Sequence, residues 1–386
     1  MRVMRAEPGR FADMTSKSVG AVWRAYDLQL TTYAALLGTI GLVMAYTNSV
    51  EAGQSVLANG TVFTRALMWS ALAMVAFIGM TAFDYRWFKQ LAWPIYGVNV
   101  ALLMLTLAIG DGVGGSARWV NIGPLTFQFS ELAKILMVIV LAAYLGNREG
   151  KLDSVVSILG ACLLMAPPLV LVMLQPDLGT SLVLASILAG MLFMSGASLR
   201  WLLLMAAGVI AVIPIAWTYI LRDYQKNRIL SFLNPTADTQ GAGWQVAQAQ
   251  ITVGSGGFLG TGLTNGAQAR GGFLPVQESD FVFAVLAQEL GFLGALLVFL
   301  LFTALLWRIL TCAWRSRDPF GTLFGAGLAS MLLFQVFVNV GMVIGILPVT
   351  GIPLPFITHG GASLVSLAIG LGIVQSINIR QHRAEW

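Results

Sequence analysis

The chain has 386 residues, of which 57% are hydrophobic and only 10% are charged, with a formal net charge of +5. Soluble domains carry about 25% charged residues because their surfaces need a charged and mixed exterior. The composition therefore excludes an ordinary soluble fold and indicates a membrane protein. The basic residues form no patch interleaved with aromatic residues, so the positive charge gives no support to nucleic-acid binding.

The N-terminal segment, residues 1–27, is polar and basic and has no short apolar core followed by a small-residue cleavage site. It is predicted to be a cytoplasmic segment and not a cleavable signal peptide. The cysteines, Cys162 and Cys312, lie far apart and have no partners at metal-ligand spacing, so we expect both to be structural.

Ten stretches have about the 20 mostly apolar residues that a helix needs to cross a bilayer. These stretches, called spans one to ten, are 28–47, 62–83, 90–110, 131–147, 155–174, 178–198, 200–221, 280–307, 320–346 and 360–379. We expect span four to start earlier, near Leu125. The predicted fold is all-α, a polytopic membrane protein with a single transmembrane domain over residues 28–380.

The basic residues give the orientation, since short cytoplasmic loops are enriched in Lys and Arg. With the N-terminus inside, 15 of the 22 basic residues fall on the cytoplasmic side. Both termini, including residues 381–386, are then cytoplasmic, and the 58-residue segment 222–279 is a large extracytoplasmic loop. The seven basic residues left outside are Arg65, Arg118, Lys134, Arg222, Lys226, Arg228 and Arg270.

Polar residues collect at the start of span four. Ser130 is expected to cap the helix, and Glu131 in the first turn suits the helix dipole. Glu131 and Lys134 are three residues apart, so they share one face of the helix. They are either a self-neutralising pair or a functional pair, since ionisable residues in spans usually face the protein interior or a water-filled cavity.

Asp177 follows the helix breaker Pro176 between spans five and six. It is expected to cap span six, a role that is compatible with a place in a functional site.

The large outer loop contains two recognisable segments. Residues 244–253 are predicted to form a short helix at the membrane surface. The glycine run 254–262 completes neither a dinucleotide-binding nor a Walker motif, so it is expected to be a turn.

Asp280 stands where the polar loop becomes span eight. An apolar run on one side and a polar cavity on the other would raise its pKa, which is typical of a general base. The alternative is that Asp280 caps the helix.

Three prolines, Pro348, Pro353 and Pro355, predict an extended path between spans nine and ten. Irregular backbone near a membrane is tolerated where it is buried in protein or lines a cavity. The only histidines, His359 and His382, lie on opposite sides of the predicted membrane, so neither a Ser-His-Asp triad nor a histidine metal site is expected.

The chain resembles a known family along residues 28–380. The resemblance lies, in order, in Ala117-Arg-Trp-Val-Asn-Ile-Gly, Ser130-Glu-Leu-Ala-Lys134, Gln175-Pro-Asp-Leu-Gly179, Asn227-Arg-Ile-Leu-Ser-Phe-Leu-Asn-Pro235, Gly254-Ser-Gly-Gly257, Ser279-Asp-Phe-Val-Phe-Ala284 and Leu347-Pro-Val-Thr-Gly-Ile-Pro-Leu-Pro-Phe356. These segments look like those of the SEDS proteins, the bacterial shape, elongation, division and sporulation family. The 227–235 and 347–353 stretches resemble its elongation branch more than its division branch.

The resemblance implies a ten-span peptidoglycan glycosyltransferase that polymerises lipid II. Asp280 matches the family's essential acidic residue. The other residues that the resemblance brings to the site are Arg118, Trp119, Lys134 and Arg228 for substrate or pyrophosphate, the cavity carboxylates Glu131 and Asp177, and the loop supports Pro275, Ser279, Thr350, Pro353, Pro355 and Ser363. Two departures, Glu-Ser before Asp280 in place of His-Thr and His359 in place of Tyr, leave the key carboxylate but put the local hydrogen bonding in doubt.

The α-linked pyrophosphate of lipid II and the β-1,4 product require one inverting displacement, with a base for the acceptor hydroxyl and cations for the leaving group. Our hypothesis is that Asp280 is the base and that Arg118 and Lys134 stabilise the pyrophosphate. A divalent cation, Mg²⁺ or Mn²⁺, is expected near Glu131 or Asp177, with no organic cofactor.

The resemblance implies several partners, namely lipid II, undecaprenyl pyrophosphate-linked glycan, membrane lipid, the elongation machinery and a class B penicillin-binding protein. It places the chain in the bacterial cytoplasmic (inner) membrane. The alternatives are a flippase for lipid-linked precursors, a member of the division branch and a noncatalytic scaffold.

Overall fold

The computed structural model describes residues 25–51, 58, 60–113, 116–122, 125–148, 154–234, 241–271, 279–358 and 360–381. Spans one to ten are, in order, Leu28–Glu51, Val62–Ala82, Ala92–Ile109, Phe129–Gly146, Val155–Leu174, Leu178–Met194, Leu199–Ile215, Val282–Arg315, Pro319–Val343 and Gly361–Gln381. Within the described ranges, nine helices have the length and composition of a membrane span, and span six is a shorter apolar helix of 17 residues. The predicted polytopic helical fold is confirmed.

The start of span four differs from the prediction. Three antiparallel strands, β1 (Asp111–Val113), β2 (Ser116–Ile122) and β3 (Leu125–Phe127), precede it in the order β1-β2-β3. The expected start near Leu125 is wrong because Leu125 pairs with Ile122 of β2, and the helix begins only at Phe129. Ser130 is therefore inside the first turn, and Gln128 occupies the capping position without a side-chain cap bond.

The spans differ greatly in burial. Most of spans four, nine and ten is buried inside the bundle, whereas span seven has no buried position in its most apolar window. Span nine packs against spans four, six and eight. Polar side chains on these central helices consequently need partners inside the protein, because lipid offers none.

The segment predicted to be the outer loop contains further helices, at Asp223–Leu233, Ala242–Ser255 and Ala267–Arg270, and a π-helical segment, Ala216–Ile220, follows span seven. The predicted helix around residues 244–253 is thus present. A short helix, Arg86–Gln90, precedes span three.

Span eight is broken at Gly291, which has φ +68° and ψ −168°. In a regular helix the amides of Phe292 and Leu293 would donate to the carbonyls of Gln288 and Glu289. Here they donate to Gly257 and Phe258, at 3.0 and 3.3 Å. A Cβ on Gly291 would lie 2.2 Å from the amide nitrogen of Gly260, so this close approach requires glycine.

The glycine run also pairs with the other side of the break. The amides of Thr261 and Gly262 donate to the carbonyls of Gln288 and Glu289, at 3.0 and 3.1 Å. Residues 257–262 therefore pair with four backbone groups of span eight on the two sides of the break. The run is a turn, as predicted, and it is docked into a transmembrane helix.

Candidate functional site

A cavity of about 570 Å³ lies at the end of the bundle where the outer loop meets span eight. Two groups of segments build it. The sheet wall consists of β2, the start of span four and the turn 175–177, and the link wall consists of the turn 279–281 and the link 348–358. Span seven and the segment that follows it add an apolar side through Ile213, Trp217 and Leu221.

Arg118 and Trp119 enter the cavity from β2. The Nε of Arg118 donates to the carbonyl oxygen of Gln175 at 3.0 Å, and its Nη2 donates to the carbonyl oxygen of Pro176. These bonds hold the guanidinium against the turn between spans five and six. A cation is therefore fixed on the sheet wall, half-buried and in contact with the cavity.

Asp177 caps span six, as predicted. Its Oδ1 accepts a hydrogen bond from the amide of Thr180, and its Oδ2 accepts from Thr180 Oγ1 and from Gln128 Nε2, each at 3.0 Å. Three donors therefore occupy this carboxylate, although it lines the cavity.

Glu131 and Lys134 form a buried ion pair. Both oxygens of Glu131 lie 2.8 Å from Lys134 Nζ, and the two side chains are 6% and 3% exposed. Glu131 lines the cavity, but Lys134 lies behind it and is not among the lining residues. Lys134 thus does not line the cavity as expected, because its ammonium compensates a buried carboxylate in the same helix. Its contact with the leaving group stays a prediction.

Asp280 lies on the link wall and projects into the same cavity. The helix of span eight begins at Val282 with Phe281 as its capping residue, so Asp280 is not the cap. A Cβ built on Gly351 would lie 3.6 Å from Asp280 Oδ2 and 3.6 Å from Arg228 Nη1. The carboxylate and a second guanidinium thus converge on the backbone of Gly351.

Burial raises the pKa of Asp280, because removal of water disfavours its charged form. The Arg228 cation, a hydrogen bond with Ser279 and the Arg118 cation lower the pKa, while the Asp177 charge raises it. The net direction is upward. This is the electrostatic setting of a carboxylate that takes up a proton readily.

The structure places most of the remaining predicted site residues in the cavity. Ser279, Thr350, Pro353 and Ser363 line it. Pro355 is buried within the link. Pro275 and His359 lie outside the described residues.

Several residues of the site were not singled out from the sequence. Gln128 holds Asp177, and the hydroxyl of Tyr224 donates to the carbonyl oxygen of Pro176 at 2.7 Å. Asn339 and Thr358 bond the backbone of the link wall. The one signal in the sequence was Asn339 itself, an amide within the apolar run of span nine.

The carboxylates expected to bind a divalent cation have few free oxygens. Mg²⁺ is usually held by one or two carboxylates together with waters and substrate phosphate oxygens. Both oxygens of Glu131 are taken by Lys134, and both oxygens of Asp177 are taken by Thr180 and Gln128. In the described part of the chain, no group of three His, Cys, Asp or Glu side chains has the arrangement of a metal site.

Comparison with known proteins gives a consistent result. The family described as Cell cycle protein (FtsW/RodA/SpoVE) matches residues 27–383. Peptidoglycan glycosyltransferase MrdB of Escherichia coli strain K12 is 40% identical over 308 residues, which is 80% of this chain and 83% of MrdB.

Two solved structures share the fold. A chain from a study of polymerization and crosslinking by a peptidoglycan synthase complex superposes with a TM-score of 0.78 at 31% identity, covering 92% of this chain and 98% of that one. The rod shape determining protein RodA of Thermus thermophilus gives a TM-score of 0.69 at 29% identity, covering 93% and 98%.

Proposed function

Since the chain belongs to the FtsW/RodA/SpoVE family of cell cycle proteins, the SEDS family, we propose that it is a peptidoglycan glycosyltransferase that polymerises lipid II into β-1,4 glycan strands. The observation that carries the proposal is the placement of Asp280. Its carboxylate lines a large cavity beside two fixed guanidinium groups, and burial raises its pKa. The relative MrdB carries the same enzyme name.

The reaction is one inverting displacement. The 4-hydroxyl oxygen of the acceptor sugar attacks the anomeric carbon of the donor and forms the new C–O bond. The bond from that carbon to the pyrophosphate oxygen breaks, and undecaprenyl pyrophosphate leaves with the electron pair. Asp280 takes the hydroxyl proton, since a base with a raised pKa accepts a proton more readily than an ordinary aspartate.

Two arginines supply the positive charge for the leaving group. Arg118 of the sheet wall and Arg228 of the helix Asp223–Leu233 both line the cavity, and a planar guanidinium binds phosphate oxygens with two parallel hydrogen bonds. Of the other cations expected to bind the pyrophosphate, Arg228 is placed for this role and Lys134 is bound to Glu131. No step passes through a metal at Glu131 or Asp177, and any divalent cation in the reaction would come with the substrate pyrophosphate.

The apolar side of the cavity suits a lipid-linked substrate. Ile213, Trp217 and Leu221 belong to span seven and the segment after it, which pack little against the rest of the bundle. An isoprenoid chain can lie against such side chains without loss of hydrogen bonds. The cavity therefore offers a polar end for the sugar and pyrophosphate and an apolar end for the lipid.

The chain is a multi-pass membrane protein, and we place it in the bacterial cytoplasmic membrane with its cavity outward. The excess of basic residues on the other side supports this orientation. A role in elongation and cell shape is supported by the likeness to RodA. The likeness to a chain of a synthase complex supports a crosslinking partner, a class B penicillin-binding protein.

A flippase is the rival function, and broken helices are common in transporters. The break at Gly291 does not favour it, because residues 257–262 pair with four backbone groups beside the break. In transporters such groups coordinate the cargo. The division branch of the family remains a second alternative for the cellular role.

Purified chain in detergent, mixed with labelled lipid II, tests the proposal. We expect long glycan from the wild type and polymerisation about 10³-fold slower from Asp280→Asn. The control is Asp223→Asn, which changes an exposed aspartate of the same outer loop that does not line the cavity. A wild-type chain that makes no glycan in detergent, or an Asp280→Asn protein as active as the wild type, would contradict the assignment.

A further inference from the structure

Asn339 is a fully buried amide of span nine that bonds two distant segments. Its Nδ2 donates to the carbonyl oxygen of Asp280 at 3.2 Å and to the carbonyl oxygen of Ile352 at 2.8 Å. One side chain therefore ties the turn before span eight to the link after span nine. Both segments belong to the link wall of the cavity.

Packing does not explain an amide at this position. Asn339 Oδ1 has no hydrogen-bond partner among the described residues, and an unpaired buried acceptor costs about 1–3 kcal/mol. A polar side chain inside a membrane helix is unfavourable without such a role. A leucine of similar shape would fill the space without the unpaired oxygen, but it would leave the carbonyls of Asp280 and Ile352 without their donor.

Thr358 makes a second bond to the same turn. Its Oγ1 donates to the carbonyl oxygen of Ser279 at 3.1 Å and accepts the amide of Leu354 at 2.8 Å. The carbonyls of two consecutive residues, Ser279 and Asp280, are thus both connected to the link 352–358. The Gly351 backbone that the Asp280 carboxylate approaches lies directly before that segment.

We propose that Asn339 and Thr358 are positioning residues for Asp280, which hold its main chain at a fixed distance from Gly351 and Arg228. Neither acts as acid or base. The turn 279–281 lies outside the helix, and its backbone would otherwise be free to rotate the carboxylate away from the acceptor hydroxyl. This proposal rests on the proposed function, in which Asp280 removes the acceptor proton.

Asn339→Leu tests the two hydrogen bonds of Asn339, with Gln335→Leu as the matched control. Gln335 is another buried amide of span nine, one helical turn away, with an unpaired Oε1 among the described residues. We expect Asn339→Leu to lower kcat of lipid II polymerisation by about 10²-fold, the effect of a misplacement of roughly 1 Å, at nearly unchanged KM. Gln335→Leu should keep the wild-type kcat.

Thr358→Val and Thr358→Ser test the hydrogen bonds of Thr358 to the turn 279–281 and to the link. Valine has nearly the shape of threonine. The valine lacks the hydroxyl and should lower kcat, while the serine keeps it and should restore most of the rate. In the double variant with Asn339→Leu, Thr358→Val should lower kcat by a smaller factor than it does alone, since Asn339 and Thr358 bond the same turn. The acid limb of the pH–rate profile should move to lower pH in both slow variants, because a released turn exposes Asp280 to water.

The outcomes separate the two proposals. A wild-type chain that makes no glycan would overturn the proposed function. An active wild type with an equally active Asn339→Leu, or a loss shared by Gln335→Leu, would overturn positioning alone. Thermal melts identify a variant that is merely unfolded, and the Thr358 pair then decides, since a valine as fast as the serine would contradict the positioning role.

Discussion

The two walls of the cavity hold carboxylates in opposite states. On the sheet wall, Glu131 and Asp177 have every oxygen occupied by protein donors. On the link wall, Asp280 has its main chain fixed by Asn339, while its carboxylate faces the cavity with a raised pKa. Acidic residues that line the same cavity are therefore not equivalent. A carboxylate whose oxygens are committed builds the site, and one with oxygens available can react.

Asp280→Asn should have the largest effect on activity and should not lower stability. We expect a loss of about 10³-fold in polymerisation, within the range of general-base catalysis. Because the folded-state pKa is raised, the unfolded carboxylate ionises more easily, so its charge disfavours folding above about pH 4. The asparagine protein should therefore melt at the same or a higher temperature at pH 7. A clear drop in melting temperature would mean that Asp280 is structural.

The polymerisation rate of the wild-type chain should depend on pH through Asp280. The base must be ionised to accept a proton, so the rate should fall as pH falls through the raised pKa of Asp280. Initial rates measured between neutral pH and pH 4 check this. In Asp223→Asn the profile should be unchanged, since that residue is exposed and does not line the cavity.

Lys134→Met should have the largest effect on stability. Removal of one partner leaves Glu131 as a buried uncompensated charge, which costs about 3–5 kcal/mol in buried pairs. Thermal unfolding in detergent measures the loss. The double variant Glu131→Gln with Lys134→Met should recover most of it, and a double variant as unstable as the single one would contradict a charge-pairing role.

Asp177→Ala should have the smallest of these effects. Loss of an N-cap costs about 1 kcal/mol, and Gln128 loses its partner at the same time. Asp177→Asn keeps an acceptor oxygen for the amide of Thr180 and is the control. Equal melting temperatures for alanine and asparagine variants would show that the cap bond contributes nothing.

The ten spans could be predicted from the sequence, because each is a local run of apolar residues and the loop charges alternate with them. The place of Asp280 in the cavity could be predicted because it stands where a polar loop meets an apolar span and because it matches a family motif. The burial of Lys134 could not, since helical spacing shows that it shares a face with Glu131 but not which of them meets the cavity. Nor could the role of Asn339, whose two partners are 59 and 13 residues away.

The strands before span four escaped prediction for a similar reason. Leu125 and its neighbours read as the start of an apolar helix, but pairing with β2 decides their conformation. The same holds for the glycine run, whose composition indicates a turn and whose position depends on a break in a helix 30 residues further on. Local sequence patterns predict most helices and turns, whereas pairing between distant residues determines the strands and the contacts between elements.

The pairing at Gly291 also determines how this end of the molecule can open. If residues 257–262 left span eight, four backbone groups would lose their partners at once, and each would cost several kcal/mol in contact with lipid. The four hydrogen bonds between residues 257–262 and span eight should therefore break together. In hydrogen exchange, the amides of Thr261, Gly262, Phe292 and Leu293 should consequently exchange with one common rate, as a single cooperative unit.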